Sequence, residues 1–169
     1  RIGVSSCLLG SEVRYDGGHK RNRFVTDELS AFVEWVSFCP ELEAGLGVPR
    51  PAMRLVEEEG EHRLLEISER TDHTEALQQA TEKRIAGLST MELSGAILKK
   101  DSPSCGMTRV KVYRETGMPM RDGVGLFARS LMHRFPYLPT EDEGRLNDAG
   151  LRENFIERIF AYRRLRQLF

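Results

Sequence analysis

The sequence has few cysteines, almost no net charge and no long apolar run. Three of its 169 residues are cysteine, and 25 basic and 26 acidic residues leave a formal charge of −1. This balance excludes attraction of the whole molecule to nucleic acid or to an anionic membrane, so nucleic-acid binding would need a local basic patch. No apolar run approaches the roughly 18 residues of a membrane-spanning helix, and no signal-peptide pattern opens the chain. We therefore expect a cytoplasmic protein with no membrane partner.

The rest of the composition is that of a folded domain. Hydrophobic residues make up 40% of the chain and charged residues 30%, which argues against a disordered or collagen-like protein. A chain of this length is typical of about one domain and can bury most of its apolar surface.

Short apolar runs alternate with amphipathic segments along the chain. Runs rich in β-branched residues predict strands, and apolar residues at helical spacing predict helices. The predicted strands are 2–4, 33–38, 95–98 and 108–113, with a hairpin formed by 53–56 and 63–67. The predicted helices are 27–32, 75–88, 125–135 and 151–169. This alternation predicts an α/β, Rossmann-like domain with a largely parallel sheet and helices on its faces.

Each of the three cysteines follows a predicted strand. Cys7 follows the first strand, Cys39 follows the second, and Cys105 follows the strand 95–98 after a short loop. Loops at the carboxyl ends of strands build the ligand site in open α/β sheets, so the three thiols can converge there. An odd number of cysteines cannot all pair within one chain. This placement favours a shared metal centre over buried, inert thiols.

Two kinds of metal centre are compatible with these donors. Structural zinc sites use four ligands, usually in paired C-x₂-C motifs, which this sequence lacks. A catalytic zinc held by three cysteines and a water fits the count. Three thiolates also suit an iron–sulfur cubane in which one iron has no protein ligand. That iron would be a Lewis acid open to substrate.

Several segments resemble the thiouracil desulfidase (TudS) family. They are residues 5–10, 13–18, 39–43, 45–46, 49–50, 98–99 and 102–106. The resemblance covers most of residues 1–135, which we interpret as a TudS-like iron–sulfur desulfidase domain. It implies a 4Fe-4S cluster on Cys7, Cys39 and Cys105, with the fourth iron open to the sulfur of a thiolated uracil or uridine. The implied reaction is a hydrolytic desulfuration without net electron transfer.

The resemblance also implies roles for individual residues. The family's catalytic glutamate matches Glu43 best, with Glu41 as a rival two residues earlier, and its active-site serine matches Ser102. A carboxylate beside the cluster would serve as the general base for the attacking water. The candidate substrate-binding residues are Arg14, Tyr15, Asp16, Lys20 and Ser104.

Residues 136–169 form a C-terminal extension in this interpretation. Segments at 146–148, 151–155 and 160–164 resemble longer RudS-type relatives, in which a second domain follows the desulfidase domain. Those proteins are associated with the desulfuration of 4-thiouridine in tRNA. We therefore expect that the full-length protein continues into a second domain and, because the chain begins with Arg1, that a few residues precede it. The implied substrate is 4-thiouridine in tRNA, its nucleosides or nucleotides, or free thiouracil.

Two other classes of function stay open at this point. One is a non-catalytic iron–sulfur or zinc module that senses redox state or positions a partner domain. The other is an RNA-binding accessory domain without a metal that uses the basic stretch 14–23. The anaerobic absorption spectrum and the iron and sulfide content, measured with and without a thiouridine substrate, best separate these alternatives from the desulfidase.

Overall fold

The structure is a computed structural model that describes residues 1–168 as two four-stranded sheets and four helices. The strands are β1 (Ile2–Ser5), β2 (Trp35–Phe38), β3 (Met53–Glu58), β4 (Glu61–Glu66), β5 (Gly95–Leu98), β6 (Val110–Tyr113), β7 (Pro119–Gly123) and β8 (Thr140–Asp142). The helices are α1 (Pro40–Glu43), α2 (Thr74–Leu88), α3 (Leu126–Arg134) and α4 (Ala149–Arg166). Within residues 1–168, no helix is both long and apolar enough to cross a membrane.

The first sheet is parallel throughout and has the strand order β2-β1-β5-β8. Its strands pair in register from Ile2 opposite Trp35 and Gly95. Because all four strands run the same way, the chain leaves β1, β2 and β5 at the same edge of the sheet. The predicted α/β fold with a parallel sheet is confirmed.

Helices cover both faces of this parallel sheet, as parallel sheets require. On one face, Ala96 and Leu98 belong to a core that also contains apolar residues of α2 and α3. On the other face, Val4 and Ile97 share a core with Phe155 of α4. Successive side chains of β5 point to opposite faces of the sheet and therefore enter two separate cores.

The second sheet is mixed and has the strand order β4-β3-β6-β7. Strands β3 and β6 are parallel, while β4 and β7 pair antiparallel at the two edges. Its inner face, with Leu55 and Val112, packs against Leu77 of α2 and Leu126 of α3. The α2–α3 layer thus lies between the two sheets and serves both.

Helix α2 begins at Thr74, whose backbone N–H and side-chain hydroxyl both form hydrogen bonds. The Asp72 carboxylate accepts a hydrogen bond of 2.8 Å from the Thr74 N–H, and the Thr74 hydroxyl oxygen accepts one of 2.8 Å from Leu64. Unpaired N–H groups at a helix start are commonly met in this way. The predicted helix 75–88 is present and starts one residue earlier.

Several predicted elements differ in the structure. The predicted helix 27–32 is a π-helical turn, Phe24–Glu28, followed by a 3₁₀ turn, Leu29–Ala31. The hairpin strands extend to Glu58 and begin at Glu61, so the turn is tighter than predicted. The last helix ends at Arg166, and Phe169, where its end was predicted, lies outside the described residues.

The segment after residue 135, predicted as an extension, contributes to the parallel sheet. Its strand β8 pairs with β5, with Ala96 opposite Thr140, and Leu146 and Phe155 enter the core beside β1. The Asp148 carboxylate accepts a hydrogen bond from the Leu151 N–H at 2.9 Å and so begins α4. Neither β7 nor β8 was predicted, because neither carries an apolar run.

Candidate functional site

The three cysteines line one cavity of about 540 Å³ at the carboxyl edge of the parallel sheet. Cys7 lies in the 3₁₀ turn that follows β1, Cys39 directly follows β2, and Cys105 lies in the loop after β5. The mixed sheet contributes Met53 and Lys111 to the opposite side of the cavity. The structure therefore brings together the three thiols that the sequence placed at strand ends.

Backbone hydrogen bonds hold Cys7 against the loop that follows it. The Cys7 carbonyl oxygen accepts hydrogen bonds from Lys20 at 2.9 Å and from Gly10 at 3.3 Å. Gly10 has a φ of 95°, a left-handed conformation that favours glycine. This turn folds the polar loop 11–20 over the cavity, where Arg14, Tyr15 and Lys20 form part of the wall.

Cys105 is held by a turn that rests on the beginning of α3. The N–H groups of Gly125, Leu126 and Ala128 donate to carbonyl oxygens of the turn 102–106 at 2.7, 3.1 and 3.1 Å. These are first-turn donors that a helix cannot satisfy internally. A Cβ atom on Gly125 would lie 2.4 Å from the Ser104 carbonyl oxygen, so only glycine permits this contact.

Burial makes all three thiols weak acids. Burial raises the pKa of Cys7 to about 11, although the positive charges of Lys99 and Arg14 oppose the shift. It also raises the pKa of Cys39, and that of Cys105 well above its usual value. Cys39 and Cys7 contribute to the raised pKa of Cys105, so the three sulfurs lie within electrostatic range of one another. A metal centre bound here has to displace the thiol protons.

The cavity wall offers a cation to a negatively charged group. The Arg14 Nε atom is buried and has no hydrogen-bond partner within residues 1–168. The Asp16 carboxylate forms an ion pair with it, but the distance from Nε to Oδ1 is 3.9 Å, too long for a hydrogen bond. A buried, unsatisfied cationic donor is costly, and a thiolate-bound anionic group would satisfy it. The three thiols and Arg14 therefore fit an iron–sulfur cluster, while Lys99 in the same wall is paired with Glu143.

The arrangement differs from that of a single-ion site. In the described part of the chain, no group of three or more His, Cys, Asp or Glu side chains is arranged to hold a metal ion. A single ion needs donors that converge within about 2.3 Å of one point. The thiolates of a cubane cluster bind different irons, so they stand further apart than the ligands of one ion.

Two carboxylates, Asp101 and Glu41, line the cavity, and two partners fix Glu41. Its Oε2 accepts hydrogen bonds from Arg50, one of them 2.9 Å from Nε, and its Oε1 accepts one from the Ser104 hydroxyl at 2.6 Å. Arg50 also donates from Nη1 to the carbonyl oxygens of Val13 at 3.0 Å and Gly47 at 2.9 Å. One guanidinium therefore joins Glu41 to two loops of the site.

Glu43, the residue predicted as general base, lies outside the cavity wall. Its two carboxylate oxygens each accept a hydrogen bond of 2.7 Å from Arg84 on α2. Its Oε1 also accepts one of 3.1 Å from the Cys39 N–H. These contacts attach Glu43 to α2 and to the Cys39 backbone, whereas the rival candidate Glu41 lies in the cavity wall.

Ser102, the serine that the sequence resemblance indicates, lines the cavity. Its hydroxyl oxygen accepts hydrogen bonds from the N–H groups of Ser104 at 3.2 Å and Cys105 at 3.0 Å. With its oxygen used as an acceptor, the Ser102 hydroxyl hydrogen is free to donate to a group in the cavity.

Two of the predicted substrate-binding residues are not in the wall. Asp16 accepts a hydrogen bond of 3.0 Å from the Gly18 N–H and closes a turn of the loop, and Ser104 is 1% exposed beneath Glu41. The sequence analysis gave no role to Arg50 or Lys111. Arg50 could have been found from its place in the segment 49–50 that carries the family resemblance.

Arg50→Ala is expected to lower the free energy of unfolding by about 3–5 kcal/mol, the usual cost of leaving one partner of a buried ion pair alone. The Arg50 and Glu41 side chains are 5% and 13% exposed. Arg84→Ala is the matched control, because the Arg84 and Glu43 side chains are 28% and 24% exposed and such pairs contribute about 1 kcal/mol or less. Urea unfolding of the metal-free proteins measures the free energy of unfolding of both variants. Equal decreases for the two variants would contradict the prediction that the Arg50 pair contributes more.

Comparison with known proteins agrees with the geometry. The 2-thiouracil desulfurase family matches residues 2–143, a range that holds all three cysteines, Glu41 and Ser102. YbbK, an uncharacterized protein of Bacillus subtilis (strain 168), is 36% identical over 111 residues, which cover 61% of this chain and 71% of YbbK.

A solved structure resembles the whole fold. The 4Fe-4S-dependent thiouracil desulfidase TudS superposes with a TM-score of 0.69 at 32% sequence identity. The superposition covers 91% of this chain and 97% of that one. With a family match over most of its length, the chain belongs to the 2-thiouracil desulfurase family.

Proposed function

We propose that this chain is a hydrolytic desulfidase that acts on thiolated uracil or uridine with a 4Fe-4S cluster held by Cys7, Cys39 and Cys105. Its family and its similarity to TudS support thiouracil desulfidase activity. The observation that carries the proposal is the Glu41 carboxylate, fixed by Arg50 and Ser104 in the wall of the cavity that the three thiols share.

The reaction needs no net electron transfer. Water adds its oxygen to the ring carbon of the thiocarbonyl, the carbon–sulfur bond breaks, and sulfur leaves as hydrosulfide while the ring gains a carbonyl oxygen. When bound, the cluster supplies a soft Lewis-acidic iron that suits a thiocarbonyl sulfur. The chain's own residues must then place the water, accept its proton and bind the pyrimidine.

Glu41 is placed to accept the proton of the attacking water. Its Oε2 accepts two hydrogen bonds from Arg50 and its Oε1 accepts one from Ser104, which holds the carboxylate in one orientation and leaves a lone pair on Oε1. General bases must be positioned before they are effective, and Arg50 and Ser104 provide that positioning. Lining the cavity, Ser102 can donate its hydroxyl hydrogen to the water or to a ring carbonyl.

The direct test is turnover of three substrates by the anaerobically reconstituted chain. Thiouracil, 4-thiouridine and a tRNA that contains 4-thiouridine are each supplied without a reductant. We expect one sulfide for each desulfurated base, and ¹⁸O from labelled water in the product carbonyl. Iron–sulfur absorbance without turnover of any of the three would instead indicate a non-catalytic module.

Ser102→Ala is expected to slow turnover by about tenfold, the value of one hydrogen bond in the transition state, and thus by less than a change of Glu41. Ser102→Thr keeps the hydroxyl and is the control. Steady-state rates at equal cluster content measure both variants. If threonine is as slow as alanine, the hydroxyl that threonine retains does not contribute to turnover, and the role proposed for Ser102 is wrong.

A further inference from the structure

The mixed sheet turns its second face outward next to the cysteine cavity. Leu55, Val110 and Val112 face the α2–α3 layer. Side chains alternate along a strand, so Arg54, Lys111 and Tyr113 face the other way. Lys111 is exposed, and the other two are half-buried. This surface, Arg54, Lys111, Tyr113 and their neighbour Arg121, is called the outer face below.

A groove of about 290 Å³ runs from the cysteine cavity onto the outer face. Five residues line both the cavity and the groove, so the two spaces adjoin. They are Met53, Ile67, Asp101, Pro103 and Lys111. The groove then continues past Arg54, Tyr113 and Arg121. A nucleotide whose base occupies the cavity has this path open for the rest of its chain.

The groove concentrates positive charge in a chain that is almost neutral. Arg121 pairs with Asp101 at 3.3 Å. Neither Arg54 nor Lys111 forms an ion pair with any carboxylate among residues 1–168. On the same sheet, Glu58 is already paired with Arg63 and Arg70. Two unpaired cations therefore face a ligand path that begins at the candidate active site.

The groove also offers a flat surface. The Arg54 guanidinium carbon lies 4.2 Å from the centroid of the Tyr113 ring, in the geometry of a cation–π stack. Planar aromatic and guanidinium groups are the usual platforms for unstacked bases. Cations beside such a platform match a nucleic-acid strand, which carries both phosphates and bases. An acidic peptide carries negative charge but no bases.

We propose that the outer face binds the single-stranded ribonucleotide segment that flanks the thiolated residue. Lys111 and Arg54 contact its phosphates, and the Arg54–Tyr113 stack supports a neighbouring base. The inference rests on the proposed function, because it takes the thiolated base to occupy the cysteine cavity. It adds a basic patch on the mixed sheet to the basic stretch 14–23 recognised in the sequence.

The test measures binding of a fluorescein-labelled, unthiolated oligouridylate of about eight nucleotides by anisotropy. No turnover is needed, so the result is independent of whether the chain is a desulfidase. Lys111→Gln combined with Arg54→Gln is expected to weaken binding at least tenfold. It should also lower the slope of log affinity against log salt by about 1.4, at roughly 0.7 for each lost phosphate contact on a single strand.

A third variant and a matched control separate stacking from charge. Tyr113→Leu is expected to weaken binding roughly fivefold to a hundredfold with no change of salt slope, because stacking carries no charge. Lys83→Gln combined with Arg158→Gln removes two exposed cations from α2 and α4 and should change affinity less than twofold. Unfolding temperatures confirm that all variants are folded.

Three outcomes would overturn the proposal. The first is an equal loss in the control pair, which would mean attraction to charge anywhere on the surface. The second is unchanged binding in the Lys111 and Arg54 variant. The third is displacement of the oligonucleotide by uridine monophosphate at an equal molar concentration, which would mean that the groove takes one phosphate and no strand.

Discussion

Replacement of any one of Cys7, Cys39 and Cys105 by serine is expected to abolish iron binding and desulfuration together. All three sulfurs line one cavity, and the thiolate is the form that binds iron. A serine hydroxyl is a much weaker acid and a harder ligand, so it cannot take the place of a thiolate. Iron and sulfide content, the anaerobic absorption spectrum and the turnover rate measure the effect.

Two controls separate loss of a ligand from loss of the fold. The metal-free cysteine variants should unfold at nearly the temperature of the metal-free parent, and Cys→Ala at each position should give the same result as serine. Ser6→Ala alters the same cavity wall beside Cys7 and keeps all three thiols, so it should keep its iron. A single cysteine variant that retains both iron and activity would refute the three-ligand proposal.

Glu41→Gln is expected to lower kcat by roughly 10²–10⁴ and to leave the cluster spectrum unchanged, because a general base contributes about that much. Glutamine keeps the length of the side chain and can still bond to Ser104, but it cannot accept the proton of water. Glu41→Asp keeps the carboxylate and moves it back by one carbon. It should recover part of the rate, which a purely structural role for Glu41 does not predict.

Glu43→Gln is the matched control for Glu41, two residues away in the same short helix. It weakens contacts to Arg84 and to the Cys39 backbone, so it should reduce retention of the cluster and leave kcat per cluster within about tenfold of the parent. If Glu43→Gln lowers kcat strongly and Glu41→Gln does not, the base is Glu43, as the sequence resemblance first indicated.

The position of the thiols was predictable from the sequence, but which of Glu41 and Glu43 lines the cavity was not. Apolar runs mark β1, β2 and β5, and parallel strands end at one edge, so Cys7, Cys39 and Cys105 had to come near each other. Glu41 and Glu43 are about 200° apart around a helix. Which side meets the cavity depends on Arg50 and Arg84, which come from other parts of the chain.

Strand β8 could not be predicted for a related reason. Its residues Glu141 and Asp142 are charged, yet they are 6% and 7% exposed. Arg145 offsets the cost of burying these charges. Its guanidinium pairs with the Glu141 carboxylate at 2.7 Å, and its backbone N–H donates to the Asp142 carboxylate at 2.8 Å. Pattern-based reasoning expects charged residues outside and cannot see a partner that arrives with the tertiary fold.

The helices α2 and α3, which lie between the two sheets, couple the unfolding of one sheet to that of the other. Neither sheet can keep its inner core if α2 and α3 detach, since Leu98 of one and Val112 of the other both depend on that layer. The protein should therefore melt as one cooperative unit. Amide hydrogens in β5 and β6 should exchange with solvent through the same global opening, with matching free energies. The cysteine cavity and the outer face should therefore be lost in the same unfolding transition.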